Sequence, residues 1–171
     1  DFSKFDQDLA AARTTCFAVV KDGRLAHSTG QGSTRPAYSI TKSVTAILVG
    51  IAADEGKLSL DDKASKYIPQ WQGSSANDVT IRDLLANTSG RHWDYNTDYS
   101  QMVRRAPDKT AFAIGLGQDA KPGEKWDYNN SAVQTLEAVV QKATGEDVAA
   151  YAKKRLLDPL AELRREVVEG R

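Results

Sequence analysis

The chain has 171 residues, 40% of them hydrophobic and 27% charged, an ordinary globular composition long enough for one sizeable core. Lysine plus arginine and aspartate plus glutamate number 23 each, so no net field favours nucleic acid or an anionic membrane as a partner. Cys16 is the only cysteine, and His27 and His92 stand apart from any ligand at metal-binding spacing, which excludes an internal disulfide and a cysteine-based zinc cluster and gives no reason to expect a metal.

In chain order, Phe2, Phe5, Leu9 and Ala12 form one stripe at helical spacing and predict a short amphipathic helix. The period then changes. Thr14 to Val20 is β-branched and aromatic, Asp22-Gly23 is a hairpin turn signal, and Arg24 to Ser28 returns as a second strand. Gly30 to Pro36 reads as loop. From Ser39 the apolar positions Val44, Ile47, Leu48, Ile51 and Ala52 predict a buried helix that stops at Glu55-Gly56. Beyond it a short helix is expected over Asp61 to Tyr67, stopped at Pro69, and another opens at Thr80, with Asp83 as capping-box partner, and ends at Thr88-Ser89-Gly90. Asp94 to Asp98 reads as loop, Tyr99 to Arg105 and Thr110 to Leu116 as weaker helices, and Gly117 to Gly123 as loop again. Val133, Leu136, Val139 and Val140 mark a strong helix from Ser131 to near Gly145; the last begins near Asp147, is interrupted by Pro159 and resumes through Leu163 to Glu166. No apolar run reaches the about 18 residues of a membrane span and no signal peptide is visible.

Two short motifs carry chemistry. Ser39 and Lys42 sit three apart at a helix start, so both project from one face and the amine reaches the hydroxyl. A serine hydroxyl needs a neighbour to take its proton, and the unpaired N–H groups of a helix start can stabilise an oxyanion. A serine in that place is also an ordinary helix cap. The second motif, Tyr128-Asn129-Asn130, lies at a loop-to-helix junction and can present a phenol and an amide to a cleft, or a packed tyrosine and a capping asparagine. Trp93, Tyr95 and Tyr99 can line a cleft or anchor packing.

Three stretches in order carry a resemblance: YSITKSVTAILVGIAADEGKLSLDDKASKYIPQW from Tyr38 to Trp71, TIRDLLANTSG from Thr80 to Gly90, and PGEKWDYNNSAVQTLEAVVQKATG from Pro122 to Gly145. The chain resembles the serine β-lactamase-like superfamily, within it the class C β-lactamase, family VIII esterase and 6-aminohexanoate-dimer hydrolase branch, from Phe17 to Leu160. The resemblance implies an α+β, β-lactamase/transpeptidase-like fold. It implies a serine hydrolase in which Ser39 is acylated, Lys42 helps deprotonate it, Tyr128 is the second proton carrier and Asn130 organises substrate and lysine in the cleft. The backbone N–H of Ser39 would form half of the oxyanion hole, and no metal or organic cofactor is required.

The family's third motif, a Lys/His-Thr/Ser-Gly on a later strand, has no counterpart after Tyr128, and the tail LRREVVEGR is unlike the family. The expected organisation is therefore residues 1–33 as helix and hairpin, 34–160 as a helical lobe carrying both motifs, and 161–171 as a foreign charged tail, with the later sheet strands missing. A lone hairpin is marginal in water, so a second chain or oligomer completing the sheet, or a fragment with a remodelled end, is expected. Two functions follow from different classes. One is a serine hydrolase acting on a small-molecule ester or amide (a β-lactam, a carboxylic ester or a short amide oligomer), alone or when completed by the C-terminal half. The other is a non-catalytic fragment or scaffold module retaining the motifs by descent. A start at Asp1 instead of Met suggests a processed or excised chain, and family habit favours periplasm or secretion, although some relatives are cytoplasmic.

Overall fold

A computed structural model describes residues 2–30 and 36–161. They fall into two compact units, the described part of Asp1–Tyr38 and that of Ser39–Glu162. The expected charged tail, apart from Ala161, lies outside the described residues.

The first unit holds α1 (Ser3–Ala11) and an antiparallel pair, β1 (Phe17–Lys21) and β2 (Arg24–Thr29). β1 starts later than the expected Thr14. Register runs from Phe17 opposite Thr29 to Lys21 opposite Arg24, with a bulge between Val19 and Val20. Asp22 and Gly23 both have positive φ, 51° and 74°, as the mirror-image two-residue turns that match strand twist require. The apolar stripe of α1 works through aromatics: Phe2 stacks on His27 at 4.3 Å, Phe5 meets Phe17 edge-on at 5.0 Å, and Asp6 Oδ1 lies 2.6 Å from His27 Nε2. Among the described residues the sheet has two strands, so the fold is α+β with most of its mass in helices.

The second unit is built around α2 (Ile40–Asp54), α3 (Ile81–Ala86), α4 (Lys109–Ile114), α5 (Asn130–Gln134), α6 (Leu136–Thr144) and α7 (Val148–Ala152). Its core joins Leu48, Val49 and Ala52 of α2 to Ile81 and Leu84 of α3 and Leu136, Val139 and Val140 of α6, with Ile68, Trp71 and Tyr151 filling between. Each fully buried apolar side chain of this size contributes about 1.5–3 kcal/mol. Of the expected stripe of α2, Leu48 and Ala52 are buried and Val44 and Ile51 pack against the core, whereas Ile47 does not. Val49 is fully buried while Ile47 is 48% exposed, because from Ala46 to Ala53 α2 is apolar or small on every side and that stretch does not specify which face turns inward. Ile40 and Ile47, one stripe of the opposite face, are exposed.

Other differences are local. The expected helix over Asp61 to Tyr67 is reduced to a 3₁₀ turn, Ala64–Lys66, followed by a second over Pro69–Trp71. α3 has the full capping box between Thr80 and Asp83 but ends at Asn87, whose left-handed backbone (φ 59°) stops the helix before Thr88. The expected loop 94–98 is helical from Tyr95 on: Asp94 Oδ1 accepts the Thr97 N–H at 3.0 Å and starts a wide π-helical segment, Asn96–Val103. The single helix expected from Ser131 is broken at Thr135, which separates α5 from α6. Among the described residues Pro159 does not interrupt the last helix, which runs to residue 161; a widened π-type turn, Lys153–Leu157, precedes the proline.

Arg91 is the anchor beneath the site. It is 4% exposed, its guanidinium lies 4.4 Å from the Trp71 ring, and it donates to the Ala113, Ile114 and Leu116 carbonyls at the end of α4. Among the described residues no carboxylate pairs with it directly, and burial pulls its pKa down to about 10.

Candidate active site

Ser39 occupies the turn entering α2, with helical φ and ψ of −70° and −8° and no side-chain capping bond. The capping role open to it in sequence is not the one its hydroxyl takes. The residue before it, Tyr38, holds φ at 45°, a left-handed conformation that bulky residues seldom adopt. Lys42, one turn into α2, places Nζ 3.3 Å from Ser39 Oγ.

Tyr128 arrives from the other side of the chain, and backbone contacts fix it there. The turn after α3 supplies them: the Asn87 carbonyl accepts the Asp127 N–H at 3.0 Å and Asn87 Oδ1 accepts the Asn129 N–H at 3.2 Å. Asn129, 2% exposed, then donates from Nδ2 to the carbonyls of Arg91 and His92 and caps α5 by accepting the Ala132 N–H. Gly90 lets the 117–123 loop close on this turn. Its φ is 66°, and a Cβ there would lie 2.3 Å from the Ala120 carbonyl oxygen. The result is that Tyr128 Oη lies 2.7 Å from Ser39 Oγ, and Lys42 Nζ stands 4.8 Å from the centre of its ring.

Asn130 begins α5 and places Oδ1 2.5 Å from Lys42 Nζ. The four residues singled out in sequence, Ser39, Lys42, Tyr128 and Asn130, are thus brought into one connected group. Ser39 is exposed and the other three are half-buried. The hydrogen bond with Ser39 is the largest influence on the Tyr128 phenol and lowers its pKa from the ordinary value; burial and the charge of Asp98 push upward, and the Lys42 ammonium adds to the lowering. The arrangement can hold a hydroxyl nucleophile between a cation and a phenol able to carry a proton.

Sequence reasoning missed Asp98, placed in an expected loop. It is 1% exposed and its carboxylate accepts from Asn130 Nδ2 at 2.6 Å, Asn130 N at 3.2 Å, Ser131 N at 2.7 Å and Ser131 Oγ at 2.6 Å. Nothing in the spacing links residue 98 to residue 130. His92, next to the Asn129 contact, lies between Asp119 (2.9 Å from Nδ1) and Asp94 (3.0 Å from Nε2), and the Asp119 hydrogen bond leads in raising its pKa. Among the described residues, no group of three or more His, Cys, Asp or Glu side chains gathers to hold a metal, and no helix is long and apolar enough to cross a membrane. Tyr95 and Tyr99 stack on one another at 5.0 Å.

The family model described as Beta-lactamase matches residues 3–166. Protein flp of Staphylococcus aureus (strain COL) is 29% identical over 160 residues, 83% of this chain and 32% of that protein. The octameric penicillin-binding protein homologue from Pyrococcus abyssi superposes with a TM-score of 0.75 at 28% identity, covering 93% of this chain and 42% of the other. D-alanine carboxypeptidase AmpC from Burkholderia cenocepacia superposes with a TM-score of 0.65 at 25% identity, covering 91% and 45%. The chain spans about a third of the length of the curated relatives it matches.

Proposed function

This chain belongs to the beta-lactamase family and has the β-lactamase/transpeptidase-like fold, and from that premise we propose that it is a serine hydrolase that forms an acyl-enzyme on Ser39 with a small-molecule ester or amide. The observation that carries the reading is the contact of Ser39 Oγ with both Tyr128 Oη at 2.7 Å and Lys42 Nζ at 3.3 Å.

Lys42 and Tyr128 together manage the proton. With its hydrogen bond to Ser39 and the Lys42 ammonium beside it, the phenol of Tyr128 loses its proton more readily and, as phenolate, takes the Ser39 proton as Oγ attacks the carbonyl carbon. The tetrahedral oxyanion leans on backbone N–H groups at the start of α2, that of Ser39 among them. As the intermediate collapses, Tyr128 returns the proton to the leaving alcohol or amine. Water then attacks the acyl-serine, giving its proton to the same phenolate, and Tyr128 returns that proton to Ser39 Oγ as the C–Oγ bond breaks and the acid leaves. Asn130 holds Lys42 by its amide oxygen and orders the cleft. No step calls on a metal or organic cofactor.

The hydrolases among the family's solved structures, such as the D-alanine carboxypeptidase, support the reaction class. Ile40 and Ile47, exposed on α2, and a sheet of two strands among the described residues, support completion by a further chain or chain segment. The test is intact-mass analysis of the protein before and after a fluorophosphonate and a p-nitrophenyl ester, with Ser39→Ala alongside. One adduct that vanishes in the variant is expected. No adduct in a sample folded by circular dichroism would leave the alternative, a non-catalytic scaffold module.

A further inference from the structure

We propose that Asp98 is a positioning residue for this reaction, fixing the Asn130 amide so that its oxygen and not its nitrogen faces Lys42. The proposal rests on the reading of Ser39 as an acylated nucleophile. The two ends of an asparagine amide have nearly the same shape, so packing alone does not choose between them; their hydrogen-bond partners do. Asn130 is bracketed by a group that only donates and a group that only accepts. Lys42 Nζ lies 2.5 Å from Oδ1 on one side, and Asp98 Oδ2 lies 2.6 Å from Nδ2 on the other. Turning the amide over would set its NH₂ against the ammonium and its carbonyl against the carboxylate.

Asp98 is itself locked. Its other oxygen accepts from Ser131 N at 2.7 Å and Ser131 Oγ at 2.6 Å, and Oδ2 also accepts from Asn130 N at 3.2 Å. At 1% exposure water has no room to substitute for any of these donors. A line of groups results: carboxylate, amide, ammonium, hydroxyl, in which Asp98 sets the polarity of every later member.

Replacing the carboxylate by an amide of equal shape gives a definite outcome. In Asp98→Asn the two Ser131 donors keep the new oxygen, so the new NH₂ faces Asn130. Asn130 then turns to offer its oxygen, and its own NH₂ is left against Lys42. Exchanging the two groups, Asp98→Asn with Asn130→Asp, keeps the new donor at 98 and sets acceptors at 130 toward both neighbours, so each contact again pairs a donor with an acceptor. The backbone N–H of Asn130 loses its partner in both the single and the double variant, so that loss cancels in the comparison.

The experiment measures the rate of Ser39 labelling by a fluorophosphonate in the wild type, both single variants and the exchange, together with the nitrogen-15 ammonium resonance of Lys42, which sharpens when hydrogen bonds slow its exchange. Each single variant is expected to label about 10–100-fold more slowly, as for other orienting partners, and the exchange about tenfold faster than Asp98→Asn. The Lys42 resonance is expected in the wild type and the exchange and absent from Asp98→Asn. Asp98→Asn at the wild-type rate, or an exchange no faster than it, overturns the proposal. If the single variants fail to fold, the exchange decides: folded and labelled supports it, folded and unlabelled overturns it. If the wild type takes no label, the nucleophile reading falls, and the Lys42 resonance alone decides: lost in Asp98→Asn and regained in the exchange supports the positioning role, and any other pattern overturns it.

Discussion

Lys42 Nζ meets Asn130 Oδ1 at 2.5 Å across 88 residues of sequence, which ties the start of α2 to the start of α5 at the point where Ser39 sits. The bond holds the ammonium within 3.3 Å of the hydroxyl. Lys42→Ala removes that charge from both Ser39 and Tyr128. The rate of Ser39 acylation by a p-nitrophenyl ester should fall about 10²–10⁴-fold, the usual contribution of one positioned proton-transfer group. Stopped-flow or discontinuous mass analysis reads the rate, and retention of near-normal acylation would sink the role assigned to Lys42.

The phenol of Tyr128 should titrate below the ordinary tyrosine value. Its bond to Ser39 leads in the lowering and the Lys42 ammonium adds to it, against burial and the Asp98 carboxylate. If the phenolate is the working base, acylation rises with pH and levels off above the Tyr128 pKa. Ser39→Ala and Lys42→Ala should each move the phenol upward in a tyrosine-specific carbon NMR titration. A midpoint unchanged in both variants would remove the electrostatic basis of the mechanism.

How much of this was legible beforehand follows from the range of the interactions involved. Ser39 and Lys42 are a local pair, three residues apart on one helix, so spacing alone placed them on one face, and the Thr80–Asp83 capping box was readable for the same reason. The Asp22-Gly23 turn was carried by a dipeptide with a defined backbone need. Tyr128 and Asn130 were singled out by motif, but their approach to Ser39 depends on Asn87, Gly90 and Asn129 contacts formed across the fold. Asp98 stayed hidden because its four donors lie on residues 130 and 131 and none is at helical or strand spacing from it. The inward face of α2 departs from its spacing only where Ile47 and Val49 compete, since from Ala46 to Ala53 the helix is apolar or small on every side and the partners decide which one is buried. The break at Thr135 was equally invisible, the residue being an ordinary helix member by composition.

Arg91 makes a stability prediction. Its guanidinium closes the carbonyl end of α4 and covers Trp71, whose Nε1 also donates to the Ile114 carbonyl at 3.0 Å. Arg91→Ala leaves buried carbonyls short of a donor and opens space beside the indole, which together cost about 2–4 kcal/mol. Arg91→Lys keeps the charge but loses the flat surface over the Trp71 ring, and should recover less than half of that loss. Urea unfolding followed by tryptophan fluorescence measures both, and a shift of the midpoint too small to resolve in Arg91→Ala would refute the anchoring role.

Asp62 supplies an acid-stability prediction whose sign follows from its partners. Its carboxylate accepts from Tyr67 Oη at 2.5 Å, the Ser59 N–H at 3.0 Å and Lys66 Nζ at 2.9 Å, and these bonds, the Tyr67 one foremost, lower its pKa to about 2. The depressed value means that the folded state favours the charged form. Its contribution is therefore present above the unfolded pKa of about 3.9 and is lost as pH falls toward the folded value. For a side chain 23% exposed, the contribution is on the order of 1–2 kcal/mol at neutral pH. Asp62→Asn should accordingly be less stable than the wild type by that amount at neutral pH, with the gap closing as the buffer is taken down to about pH 2. Denaturant unfolding of both proteins across this range reads the difference directly. A gap that stays constant with pH would show that the loss comes from packing around Tyr67 and not from the carboxylate's charge.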